Sequence, residues 1–83
     1  MDRELLVEMG YEDSLVFDSP SYDDAIVGVT TDGRIVYSYE KMVEQLMQEM
    51  GCEHIDAIDF LEYNTVRALA YMGNDAPVIV TFL

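Results

Sequence analysis

Ala25-Ile26-Val27-Gly28-Val29-Thr30-Thr31-Asp32-Gly33-Arg34-Ile35-Val36-Tyr37-Ser38 is the stretch that decides the fold. Two runs rich in β-branched residues flank an Asp-Gly pair, the composition of a tight hairpin turn. Ala25 to Thr30 therefore predicts a strand, and Arg34 to Ser38 predicts its antiparallel partner. Gly28 inside the first run indicates a bulge, or room for an aromatic ring such as Tyr37 from across the hairpin.

Beyond Ser38 the period changes from two to that of a helix. Tyr39, Met42, Val43, Leu46, Met47 and Met50 fall at i, i+3, i+4, i+7, i+8 and i+11, one stripe along one face. Ser38 is a suitable N-cap, Glu40 suits the positive end of the helix dipole, and Gly51 ends the helix. A second helix is predicted just after Cys52, with Ile55, Ile58, Leu61 and later Leu69 facing inward. Asn64-Thr65 is its weak point, because short polar side chains compete for backbone hydrogen bonds, and Thr65 is expected to cap a fresh turn there. Arg67 is expected to pair with Glu62 or Tyr63 across that break. Gly73 ends the segment, Asn74 to Pro77 reads as a loop, and Val78 to Phe82 reads as a fully apolar final strand. That lack of polar alternation predicts a central place in the sheet, beside a hairpin strand.

Upstream of the hairpin, Asp18 to Asp24 is turn chemistry throughout. Leu15, Val16 and Phe17 read as extended, and Asp2 to Met9 as one or two helical turns ending at Gly10. Strands followed by helices indicate an α+β fold: a small, mainly antiparallel sheet of about four strands with two helices packed on one face. The 83 residues are expected to form a single domain, residues 1–83.

Seventeen acids against four bases give a formal net charge of −13, beyond the roughly 2–8 units usual for a small domain. A folded chain of this size exposes on the order of 5,000 Å². The charge thus amounts to about one uncompensated negative unit per 400 Å² of surface. Such a field repels nucleic acid and anionic membranes and attracts basic protein surfaces. Yet 51% of the residues are apolar, with six Tyr and three Phe, too rich a composition for a disordered acidic tail. The apolar surplus also leaves a homodimer as an alternative way of burying more surface.

Several classes are disfavoured. A lone Cys52 allows no intramolecular disulfide framework. The polar opening is no signal peptide, and no run reaches membrane-spanning length, so a cytoplasmic protein is expected. Cys52-Glu53-His54 lacks the second ligand pair of a structural zinc site, and reads instead as a helix–helix turn with a partly buried thiol. Asp18, Asp23 and Asp24 lack the ligand spacing, turn glycine and closing Glu of a calcium loop. One His, no phosphate-binding glycine loop and no nucleophile elbow argue against an enzyme. No metal or cofactor is expected. Arg3, Arg34, Lys41 and Arg67 are dispersed, whereas phosphate contacts need clustered cations, so direct nucleic-acid binding is not expected.

The acids themselves remain. Asp56, Asp59 and Glu62 step by three along the second helix with Tyr63 beside them, while Glu40, Glu44 and Gln48 line the first. Neighbours at i+3 or i+4 lie about 5–6 Å apart at Cβ, a spacing on the scale of successive phosphates. Residues 1–24 hold eight acids and one Arg. A solvated helix face explains each row alone; a charge pattern offered to a groove built for nucleic acid also explains the excess over the whole chain.

Asp24-Ala25-Ile26-Val27-Gly28-Val29-Thr30, Gly33-Arg34-Ile35-Val36-Tyr37, Glu62-Tyr63-Asn64-Thr65-Val66-Arg67-Ala68-Leu69, Tyr71-Met72-Gly73 and Ala76-Pro77 carry a resemblance over roughly residues 20–82. On these the chain resembles a family of small proteins of gut Firmicutes and Actinobacteria and their phages. The family supplies no activity to carry over. Ala70 stands where that family has Pro, which implies a helix that runs further here. A similarity of type alone is to small acidic phage proteins that inhibit host nucleic-acid enzymes, anti-CRISPR proteins among them.

The reading is an acidic binding protein that occupies the basic groove of a nucleic-acid-binding protein, with a CRISPR effector as the leading target. Asp18, Asp23, Asp24, Asp56, Asp59 and Glu62 are the candidate partner-binding residues. The alternative is a bacterial housekeeping adaptor that binds through exposed Tyr and Met, its acidity serving solubility.

Overall fold

A computed structural model describes residues 3–11, 14–17 and 22–82. The hairpin lies where the Asp-Gly signal puts it. Strand β1 (Ile26–Val29) runs antiparallel to β2 (Ile35–Ser38). Thr30 N–H donates to the Arg34 carbonyl at 2.8 Å, and Gly33 N–H donates to the Thr30 carbonyl at 3.0 Å. Gly33 has φ 87°, which is why glycine suits the turn. The Thr30 hydroxyl accepts from Arg34 N–H and donates to the Asp32 carboxylate, and Arg34 pairs with that carboxylate at 3.4 Å. The Thr30 hydrogen bond, aided by the Arg34 charge, holds the Asp32 carboxyl below its ordinary range. Ile26 faces Tyr37 while Gly28 faces Val36, so the register slips between Ile26 and Gly28. A Cβ at Gly28 would meet no atom within 4 Å. The glycine therefore marks a bulge, and no ring occupies its place.

β2 passes directly into helix α2 (Tyr39–Met50). Ser38 Oγ accepts from Lys41 N–H at 3.4 Å, and Gly51 closes the helix at φ 60°. Met42, Val43 and Leu46 are buried along the predicted stripe, and its end residue Met50 is exposed. Upstream, helix α1 (Arg3–Glu8) buries Leu6 and ends before Gly10.

After α2 comes helix α3 (His54–Phe60), then a π-helical turn over Leu61–Val66 and 3₁₀ turns over Arg67–Tyr71 and Gly73–Asp75. Strand β3 (Val78–Val80) then pairs with β2 in parallel, through Val36–Val78, Tyr37–Ile79 and Ser38–Val80. The strand order is β1-β2-β3.

The α+β class holds, with three corrections to its detail. First, the sheet has three strands among the described residues, and it is mixed. β2 reaches β3 through helices, and such a crossover delivers a parallel partner where a short turn delivers an antiparallel one. Second, β3 lies at an edge and β2 in the centre. The apolar run was a sign of burial, and Val78–Val80 are only half-buried. Third, Leu15–Phe17 forms no strand. That segment is fixed by side chains instead: Ser14 Oγ donates to the Gly33 carbonyl at 2.8 Å, and Phe17 N–H donates to the Tyr37 hydroxyl at 3.1 Å. The Phe17 ring meets Tyr22 edge-on at 5.9 Å and Tyr37 at 4.9 Å.

One cluster joins Leu6, Phe17 and Tyr22 to residues of β1, β2, α2, α3 and the π turn. Tyr22, Tyr37, Ile26, Ile35, Met42, Leu46 and Leu61 are its largest fully buried side chains, and burying an aliphatic side chain of this size contributes about 1.5–3 kcal/mol. Among the described residues, no helix is long and apolar enough to cross a membrane.

Candidate partner-binding surface

Every described acid except the half-buried Asp23 is exposed. Asp18 lies outside the described residues. Asp23 and Asp24 sit in a 3₁₀ turn, Asp23–Ala25, entered through Tyr22 at φ 51°. A left-handed tyrosine is uncommon. Here its ring is fully buried, and its hydroxyl hydrogen-bonds Thr65 Oγ1 at 2.9 Å. Burial pushes the Tyr22 hydroxyl up, against a lowering pull from Thr65 and with a small push from the Glu49 charge. Asp24 then lines a concavity of about 230 Å³ with Lys41, Glu44, Gln45 and Gln48 of α2.

Asp59 and Glu62 lie elsewhere, in a wider groove of about 660 Å³ with Phe60, Tyr63, Asn64 and Arg67. Asp56 is exposed on α3 and does not line it. Of the candidate acids, Asp24 lines one concavity and Asp59 and Glu62 the other, while Asp23 and Asp56 line neither; Tyr22, adjacent to Asp23, bonds Thr65 in the turn that carries Glu62.

The π turn gives this groove its form, and side chains hold four consecutive positions of it. Tyr39 Oη donates to Glu62 Oε1 at 2.8 Å. The Arg67 guanidinium lies over the Tyr63 ring, 5.1 Å from its centroid. Asn64 Nδ2 donates to the Phe60 carbonyl at 3.1 Å, the acceptor that a regular α-helix reserves for the Asn64 N–H. Thr65 is tied to Tyr22. Within this wide turn Arg67 N–H reaches the Glu62 carbonyl five residues back. Loss of water around Tyr39 and the adjacent Glu62 carboxylate push the Tyr39 hydroxyl up to about 12.

The wide turn also changes which residues face inward. Ala57, Leu61 and Thr65 are buried at steps of four. In a regular α-helix such a row drifts by about 40° per step, and a wider turn offsets the drift. Ile55, expected inside, is 65% exposed, because the buried row begins at Ala57. Thr65 caps no new turn; its hydroxyl serves the core. Arg67 pairs with Tyr63, one of the two partners expected from the sequence.

The described bases do not gather. Arg34 pairs with Asp32, Arg67 covers Tyr63, and Lys41 lies in the concavity with Asp24 and Glu44. Among the described residues, no three His, Cys, Asp or Glu side chains group as a metal site. Cys52 is half-buried, its Sγ 3.9 Å from the Leu46 carbonyl. Sequence reasoning did not place Tyr39, Phe60 or Asn64 at the surface of interest; the weak point at Asn64-Thr65 was the one signal that something unusual happens there. Comparison with known proteins finds no matching family model, no similar curated protein and no similar solved structure.

Proposed function

We propose that this chain acts by binding, as an acidic inhibitor that occupies the basic groove of a nucleic-acid-binding protein and excludes DNA or RNA by competition. The observation that carries this reading is charge density. Thirteen net negative charges are spread over 5382 Å², with acids exposed on α1, α2, α3 and the π turn and only Asp23 half-buried among those described. Each acid taken singly needs no explanation beyond solvation. An excess this large, held on a small ordered scaffold, favours a partner whose own surface is strongly basic.

A CRISPR effector is the leading target, in line with the resemblance to small acidic proteins of phages. The binding residues in this reading are Asp23 and Asp24 on the 3₁₀ turn with Asp18 before them, and Asp56, Asp59 and Glu62 on α3 and the π turn. The test is a pull-down from bacterial lysate at low and high salt, with captured proteins identified by mass and challenged with duplex DNA. Capture of a nucleic-acid enzyme that both salt and duplex release supports the proposal. Capture that resists both overturns it, and moves the function to an adaptor that binds through exposed Tyr63 and Tyr71, which are 68% and 85% exposed.

A further inference from the structure

We infer that the groove on the π turn receives an arginine side chain of the partner, and that Arg67 occupies part of that place while the partner is absent. The inference rests on the binding function proposed above and names the chemical group that the partner brings.

The groove combines two kinds of wall. Phe60 and the 68% exposed Tyr63 offer ring surface, and Asp59 and Glu62 bring carboxylates to the same concavity. A guanidinium suits both, because it stacks flat on an aromatic face and donates in a planar fork to carboxylate oxygens. A lysine ammonium is a more strongly hydrated point charge and gains less from the ring. A phosphate or an acidic peptide would meet Asp59 and Glu62 at once. The chain already places one guanidinium on this ring: its own Arg67 lies 5.1 Å from the Tyr63 centroid.

Hydrogen bonds also fix the turn beneath the groove. Tyr39 fixes Glu62, Asn64 fixes the turn at Phe60, and Thr65 is anchored to the buried Tyr22. Glu62 Oε1 accepts from Tyr39, so the carboxylate is oriented before any partner arrives. A site oriented in advance loses less freedom on binding. Arg67 is exposed, so it moves aside at little cost to the core. The basic grooves of nucleic-acid-binding proteins are lined with arginines that reach phosphates; the π turn offers such an arginine a carboxylate and a ring in place of a phosphate.

The experiment measures binding of the whole chain to oligo-arginine and oligo-lysine peptides of equal length, by calorimetry at low salt, with amide resonances followed in parallel. The arginine peptide is expected to bind about fivefold tighter than the lysine peptide, and to shift the amides of Asp59, Phe60, Glu62 and Tyr63 most. Tyr63→Leu, at an exposed position, should abolish that preference while the thermal midpoint stays in place. Arg67→Gln should tighten arginine-peptide binding by about threefold by vacating the ring. Equal affinity for both peptides, unchanged in Tyr63→Leu, overturns the groove and leaves the electrostatic reading standing. Weaker binding by Arg67→Gln overturns the placeholder role. Failure of both peptides to bind at low salt overturns the proposed function and this inference together.

Discussion

Residues 26–51 and residues 54–75 are built on different terms. In the first, each element is specified by its own residues: a turn by Asp32-Gly33, a helix start by Ser38, a helix end by Gly51. In the second, helix type changes repeatedly, and the shape depends on ties to distant parts of the chain, Tyr39 to Glu62 and Tyr22 to Thr65. Local signals make a scaffold that needs little help. Distant hydrogen bonds make a surface whose form a regular helix does not provide.

The comparison breaks most visibly through the shared core. Leu46→Ala, at a fully buried position in α2, should cost about 2–5 kcal/mol by chemical denaturation, since the cavity cannot fully close. It should lower the stability of both regions as one unit; loss of structure confined to residues 54–75 would show that they fold separately. Next in size is Thr65→Val, which leaves the buried Tyr22 hydroxyl without its partner and should cost about 1–3 kcal/mol. Adding Tyr22→Phe should restore part of that loss, because no polar group is then stranded. If the double variant is merely the sum of the singles, the bond does not tie the turn.

Ser38→Ala should cost about 1 kcal/mol through loss of the α2 N-cap, with the π turn unaffected by amide shifts. The smallest effect expected is for Tyr39→Phe, about 0.5–1 kcal/mol at a half-exposed site, but it carries a pH signature. The Tyr39 hydroxyl is pushed up to about 12 from 10.0. Its contribution is therefore complete below pH 10 and lost as pH rises toward 12. The wild-type chain should lose stability in that window more steeply than Tyr39→Phe, with buried Tyr22, also raised, contributing in both.

The hairpin, α2 and both of that helix's ends were legible from neighbouring residues, because turn, cap and period signals act within a few positions; Gly28 left a bulge and a ring equally open, and the register decides for the bulge. The edge place of β3 was not legible, since no local feature distinguishes an edge strand from a central one in a short apolar segment; its parallel pairing follows from the helices that lie between β2 and β3. The site divides in the same way. That Asp59, Glu62 and Tyr63 share a surface follows from helical spacing, and Asn64-Thr65 was visible as a disturbance. The result of the disturbance was not visible, because two of the side chains that tie the π turn, Tyr22 and Tyr39, lie 43 and 23 residues away from their partners. Asp24 belongs to another concavity for the same reason: a charge pattern along the sequence does not say which element lies beside it.

The parallel ladder between β2 and β3 also sets an order of events in time. β1 meets β2 across a short turn, but Val36 waits for Val78, about 40 residues later in the chain. During synthesis the hairpin and α2 can form while the central strand still has one bare edge, a row of unpaired backbone groups open to any passing strand. Pairings this far apart in sequence are slow to form. The acidic residues upstream of the hairpin, eight within residues 1–24, leave the ribosome before β3 does, and are well placed to keep neighbouring nascent copies apart until the sheet is closed.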